Sequence, residues 1–161
     1  MRVVHRGFDR LELAIESNAS PKLTEALQEA KDRAEQEGRA LPITYGGVDL
    51  DIQPHGGGGY RYLLRGGLMD ASFAIKKPNP RDPWGIRVMV GSEFLATLGL
   101  GHARRYIEAT LARLGVRFGP QHVSIGRADF CVDVLAPGFE LVPKQFVMHS
   151  HANRADHMDE M

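Results

Sequence analysis

The sequence predicts an α+β domain: a ferredoxin-like antiparallel sheet with two main helices packed on one face. Three observations predict it. Period-two alternation of apolar residues marks strands at residues 8–16, 84–90 and 124–134. Three-to-four apolar spacing marks major helices at residues 21–37 and 102–114. Each helix is next in sequence to one of two similar strands, so short connections lay both helices on one side of one sheet.

The elements follow in order. Leu11, Leu13 and Ile15 form the buried face of the first strand, with Glu12 and Glu16 opposite. Ser20 and Pro21 open the first helix as N-cap and first helical residue, and Gly38 stops it. Leu23, Ala26, Leu27, Ala30 and Ala34 line its inner side; the charged outer side reads as solvated. Residues 41–53 read as two short strands around Gly46 and Gly47. His55 and the run Gly56, Gly57, Gly58 and Gly59 precede an alternating stretch rather than a helix, so they read as a flexible connector and not a phosphate loop. Strands are expected at residues 60–65, 68–77 and 84–90, with the three prolines of residues 78–83 in an exposed loop. Ser92 is expected to cap a short helix at residues 93–98, interrupted by Gly99 and Gly101. The stronger helix follows, burying Ala103, Tyr106, Ile107, Thr110, Leu111 and Leu114 and ending at Gly115.

A chain of 161 residues is expected to form one domain, here residues 1–148, followed by a polar tail at residues 149–161. Twenty basic residues balance twenty acidic ones, so any nucleic-acid contact must come from a local patch. The single cysteine, Cys131, allows no internal disulfide and fits a reducing compartment. No apolar run reaches membrane-spanning length and no signal peptide is evident, so a cytoplasmic protein without membrane contact is expected.

The most pointed motif is Arg127-Ala128-Asp129-Phe130-Cys131-Val132-Asp133. Alternation puts Ala128, Phe130, Val132 and Val134 on an apolar face and Arg127, Asp129, Cys131 and Asp133 on a polar one, in a strand apolar enough to be central. Arg10 to Glu16 matches it class for class, which suggests an internal repeat. Acids four residues apart on one strand are about 13 Å apart, so an ion at Asp129 or Asp133 needs help across strands, for instance from Glu12. Such oxygen ligands suit magnesium or manganese. The alternative is an ion-pair network in which Arg10 and Arg127 neutralise the acids. His149, His151 and His157 offer a second metal-ligating pattern or an unstructured tail.

Nucleic-acid contact is suggested by Tyr60, Arg61, Tyr62 and Arg65 alternating on one strand, with both tyrosines on one face and both arginines on the other. Lys76 and Lys77 flank the proline loop, and Arg127 stands on the acidic strand.

Around residues 124–134 the chain resembles the replication initiation factor family of rolling-circle plasmids and phages, whose Arg-x-Asp-x-x-x-Asp strand matches Arg127, Asp129 and Asp133. The resemblance extends loosely through Gly58, Gly59 and Tyr60, residues 84–90, the helix before the motif and the strand at residues 8–15. It implies a ferredoxin-like DNA strand-nicking scaffold in which a tyrosine attacks a phosphodiester and acids hold a divalent metal. Asp129 and Asp133 match the family strand directly, and Glu12 enters through the internal repeat. The family's tyrosine lies downstream of that strand, whereas no tyrosine follows Tyr106 in this chain. The expectation is therefore a replication-initiation-like domain of a mobile element that binds single-stranded or hairpin DNA without complete nicking chemistry. The alternative is a plasmid or phage interaction protein on the same scaffold, inhibiting a host nucleic-acid-targeting defence complex. A metal-dependent hydrolase using Asp129, Asp133 and the terminal histidines is a third.

Overall fold

The structure, a computed structural model, describes residues 1–66, 71–140 and 142. The elements run β1 (Arg2–Ile15), α1 (Pro21–Glu37), β2 (Leu41–Tyr45), β3 (Val48–Ile52), β4 (Tyr62–Gly66), β5 (Ala71–Ile75), β6 (Ile86–Val90), α2 (Ser92–Arg113) and β7 (Val123–Leu135). All seven strands join one antiparallel sheet in the order β2-β3-β4-β5-β6-β1-β7. Within it, β1 and β5 run parallel with β6 between them, and β7 flanks β1. That is the split βαβ arrangement of a ferredoxin-like core. Strands β2, β3 and β4, inserted after α1, make the sheet larger than that core.

Register explains which side the helices cover. Ile52, Leu64, Phe73, Val88 and Leu13 are successive cross-strand neighbours, and Tyr62, Ile75, Ile86 and Ile15 form the next such row. With Leu23, Leu27 and Ala30 of α1 and Ala103, Ile107 and Leu111 of α2, they make one continuous core. Period-two strands and period-3.6 helices present their apolar residues to one another, and burying each large side chain contributes about 1.5–3 kcal/mol.

The helix ends show what local chemistry can specify. The Ser20 Oγ accepts a hydrogen bond from the Leu23 amide at 3.2 Å, and Gly38 closes α1 at φ 67°, as its sequence predicts. Helix α2 differs. It is two helical segments broken at Gly99 (φ 75°), as the sequence predicts, but its N-cap is Gly91 rather than Ser92 and no side chain caps it. Packing of Phe94 and Leu95 on the core holds the first turn in place despite the kink.

Strand β7 departs most from expectation. It is an edge strand, not a central one, and its apolar face is largely in solvent, with Phe130 63% exposed and Val132 and Val134 also exposed. In addition, β6 pairs with β1 only at residues 11–15, whereas β7 follows β1 back to Arg2. Residues 2–10 and 129–135 thus form a two-stranded ribbon beyond the body of the sheet. The terminal residues 143–161, including His149, His151 and His157, and residues 67–70 of an expected strand lie outside the described residues.

Candidate nucleic-acid interface on the open sheet face

The sheet face opposite the helices carries the polar halves of the strands. One row crosses all seven: Pro42, Asp51, Arg65, Ser72, Met89, Glu12 and Arg127. The neighbouring row runs Leu63, Ala74, Arg87, Ala14 and Ser124. Two charged regions result.

The first lies over β4, β5 and β6. The glycine run folds back across the sheet, with Gly57 and Tyr60 exchanging backbone hydrogen bonds at 3.0 Å. Gly58 and Gly59 turn the chain at φ 58° and 84°, a conformation that costs a glycine little. Both ends of this loop are tied to α1. Lys31, fully buried, donates to the Pro54 carbonyl and to the Glu35 carboxylate, and the Arg61 guanidinium lies 3.9 Å from Glu35. The Lys31 hydrogen bond holds the Glu35 carboxyl below its ordinary range.

Beneath the loop is a cavity of about 330 Å³ lined by His55, Gly57, Gly58, Leu63, Arg65, Ser72, Ala74, Arg87 and Met89, among others. The Tyr60 ring gathers cations at its rim, with the Arg87 guanidinium 4.8 Å and the Lys76 ammonium 5.1 Å from the ring centroid. Lys76 also donates to Asp82 at 2.7 Å, which lowers the Asp82 pKa. The Arg87 Nε is buried and has no hydrogen-bond partner. Asp51 is the cross-strand neighbour of Arg65, yet among the described residues no ion pair engages Arg65 or Arg87. An adjoining depression of about 290 Å³ shares Ser72 and Met89 and reaches Arg10 and the start of α2 at Gly91 and Ser92.

The second region is the β1–β7 pair. The two similar strands are antiparallel neighbours, so their likeness becomes charge complementarity: Arg10 faces Asp129 and Glu12 faces Arg127. Arg10 also pairs with Glu12 and Arg127 with Asp129, both at 2.7 Å. The Arg127 hydrogen bond draws the Asp129 pKa down, and Asp129 raises that of Arg127. Two cations and two carboxylates neutralise one another here.

The acids expected to share an ion are therefore not brought together. Glu12 and Asp129 are engaged by arginines, and Asp133 stands farther along the ribbon opposite His5. Among the described residues the cluster with metal-ligand spacing is His5, Cys131 and Asp133.

The nucleic-acid residues also separate. Tyr60, Arg65 and Lys76 converge on the cavity or its rim. Tyr62 is fully buried, its hydroxyl donating to Gln28 at 3.1 Å, because β4 begins there and turns it into the core. Burial raises its pKa. Arg61 leans to α1, Lys77 is exposed in the proline-rich loop, and Arg127 is held by Asp129. Arg87 and Lys31 escaped the sequence reading, which takes His55 as part of a connector. Arg87 was within reach of that reading, standing with Met89 on the polar side of an alternating strand, whereas Lys31 occupies a helical position that looks solvated until Pro54 closes over it.

The tyrosines divide likewise. Tyr106 donates to the Gly66 carbonyl at 3.1 Å and is raised in pKa by burial. Tyr45 is on β2, five strands and about 24 Å from β1. No family model, curated protein or solved structure matches this chain. Among the described residues no helix is long and apolar enough to cross a membrane.

Proposed function

We propose that this chain is a DNA-binding domain of replication-initiation type that holds single-stranded or hairpin DNA on its open sheet face. The observation that carries the reading is a cavity lined by Arg65 and Arg87, which no ion pair engages among the described residues, with His55 beside them. A guanidinium with no carboxylate partner keeps its charge-assisted hydrogen bonds available for a phosphate oxygen. The cavity has room for a phosphate group or base, and the adjoining depression, which Asp9 also lines, extends it toward the α2 N-terminus. Tyr60 fixes the cations rather than offering an open stacking platform, so recognition rests mainly on the backbone of the nucleic acid. No strand-nicking step is assigned: Tyr62 and Tyr106 are engaged inside the fold, Tyr45 is remote from the acidic strands, and the Tyr60 ring is packed by Arg87 and Lys76 rather than by those acids. Fluorescence anisotropy with labelled single-stranded and hairpin oligonucleotides tests it: log affinity is expected to fall linearly with log salt, and salt-independent or absent binding removes the reading.

A second reading, a plasmid or phage protein that binds and inhibits a host defence complex, is favoured by the exposed apolar side chains Phe130, Val132 and Val134 on edge strand β7. It expects Phe130→Asp with Val132→Asp to abolish a stoichiometric protein complex that Arg65→Gln with Arg87→Gln leaves intact.

A further inference from the structure

We propose that His5, Cys131 and Asp133 form a binding site for a borderline-soft divalent cation of the zinc class. On the β1–β7 ribbon, His5 is the direct partner of Asp133 and Gly7 that of Cys131, which brings the three side chains together on one face. Their nearest ligand atoms all lie within 4.8 Å of one another. Tetrahedral coordination at zinc bond lengths needs about 3.3–3.8 Å between ligand atoms, a closure of about 1 Å, within side-chain reach.

Two further observations point to a ligand. The His5 Nε2 is buried and has no hydrogen-bond partner, although the imidazole stands beside a thiol and a carboxylate. A Cβ at residue 7 would meet that Nε2 at 2.8 Å, so Gly7 is what lets the imidazole lie across the strand. A glycine inside a strand weakens it, and here it opens the seat of one ligand.

The donor set decides the metal. Magnesium and manganese favour oxygen ligands, whereas one thiolate, one imidazole and one carboxylate suit zinc or cobalt. Asp133 is exposed, so a fourth position is open to water, the arrangement of three protein ligands found in reactive zinc centres. The site is separate from the Arg65–Arg87 cavity and does not depend on nucleic-acid binding.

Cobalt(II) titration of the full chain tests it, because Cys131 is the single cysteine and a thiolate-to-cobalt charge-transfer band reports this site alone. The expected result is a band that saturates at one equivalent and is displaced by zinc. It disappears in Cys131→Ser, while His5→Gln and Asp133→Asn each weaken affinity about tenfold or more. The exposed ribbon lets these variants keep the wild-type thermal midpoint, which circular dichroism checks. The band persists when His149, His151 and His157 are all changed to Gln. Absence of the band at excess cobalt overturns the proposal. So does cobalt binding that is lost with the terminal histidines and intact in Cys131→Ser.

Discussion

The two ends of the open face hold similar side chains in opposite states. On the β1–β7 pair, Arg10 and Arg127 are each within 2.7 Å of a carboxylate on their own strand and face another across the ladder. Over β4–β6, Arg65 and Arg87 line a cavity with no ion pair among the described residues, and Arg87 leaves a buried donor unused. A cation already matched at short range has little left for a phosphate, whereas an unmatched one keeps its charge-assisted bonds available. The conspicuous motif of the sequence is thus the self-neutralised region, and the less conspicuous one is the candidate interface.

Substitutions probe that difference, beginning with the sheet beneath it. Phe73 is 0% exposed and floors β5, while Phe130 stands largely in solvent, with a T-shaped contact to Phe8 at 5.9 Å. Phe73→Ala is expected to cost about 3–5 kcal/mol in urea unfolding, against less than about 1 kcal/mol for Phe130→Ala. Comparable losses would place β7 inside a core.

Lys31 comes next. Lys31→Ala strands the Pro54 carbonyl and unties one end of the glycine loop, at a cost of about 1–3 kcal/mol in the same measurement. Proteolysis of residues 54–60 should accelerate with it; an unchanged cleavage rate would mean the loop is held by something else.

Tyr60 affects the site more than the fold. Tyr60→Ala releases Arg87 and Lys76 and should weaken oligonucleotide binding by about fivefold, the equivalent of about 1 kcal/mol of cation–π interaction. Tyr60→Phe keeps the ring and should bind as wild type, since the hydroxyl makes no hydrogen bond among the described residues.

Much of the fold was legible because it depends on periodicity. Ser20, Gly38 and the Ala103–Ile107–Leu111 stripe act through local geometry and occupy the places their spacing predicts. The position of β7 was not legible. An exposed Phe130-Val132-Val134 stripe has the same period as a buried one, and only the fold shows that it lies on the ribbon beyond the paired end of β6. The site was half legible for the same reason. Tyr60, Arg65 and Lys76 were visible as residue types, but their convergence with Arg87, like that of His5 with Cys131, exists only across strand register.

The smallest effect belongs to the neutralised pair. The folded pKa of Asp129 lies below its unfolded value, so its contribution to stability is present above the ordinary carboxylate range and is lost as pH falls through the folded pKa. Asp129→Asn should therefore lower the thermal midpoint slightly at pH 7, with the gap closing as the pH is taken below 3.8. A gap that widened on acidification would reverse the sign of the interaction.

Salt titration of oligonucleotide binding tests the central claim most directly, with two variants of opposite design. Arg65→Gln with Arg87→Gln removes the unmatched cations. Arg127→Gln with Asp129→Asn removes a matched pair and leaves net charge unchanged. The first is expected to reduce the slope of log affinity against log salt by about 1.4, at about 0.7 per single-strand phosphate contact, and the second to leave the slope at its wild-type value. A wild-type slope in the first variant and a loss in the second would place the interface on the β1–β7 strands and contradict the account.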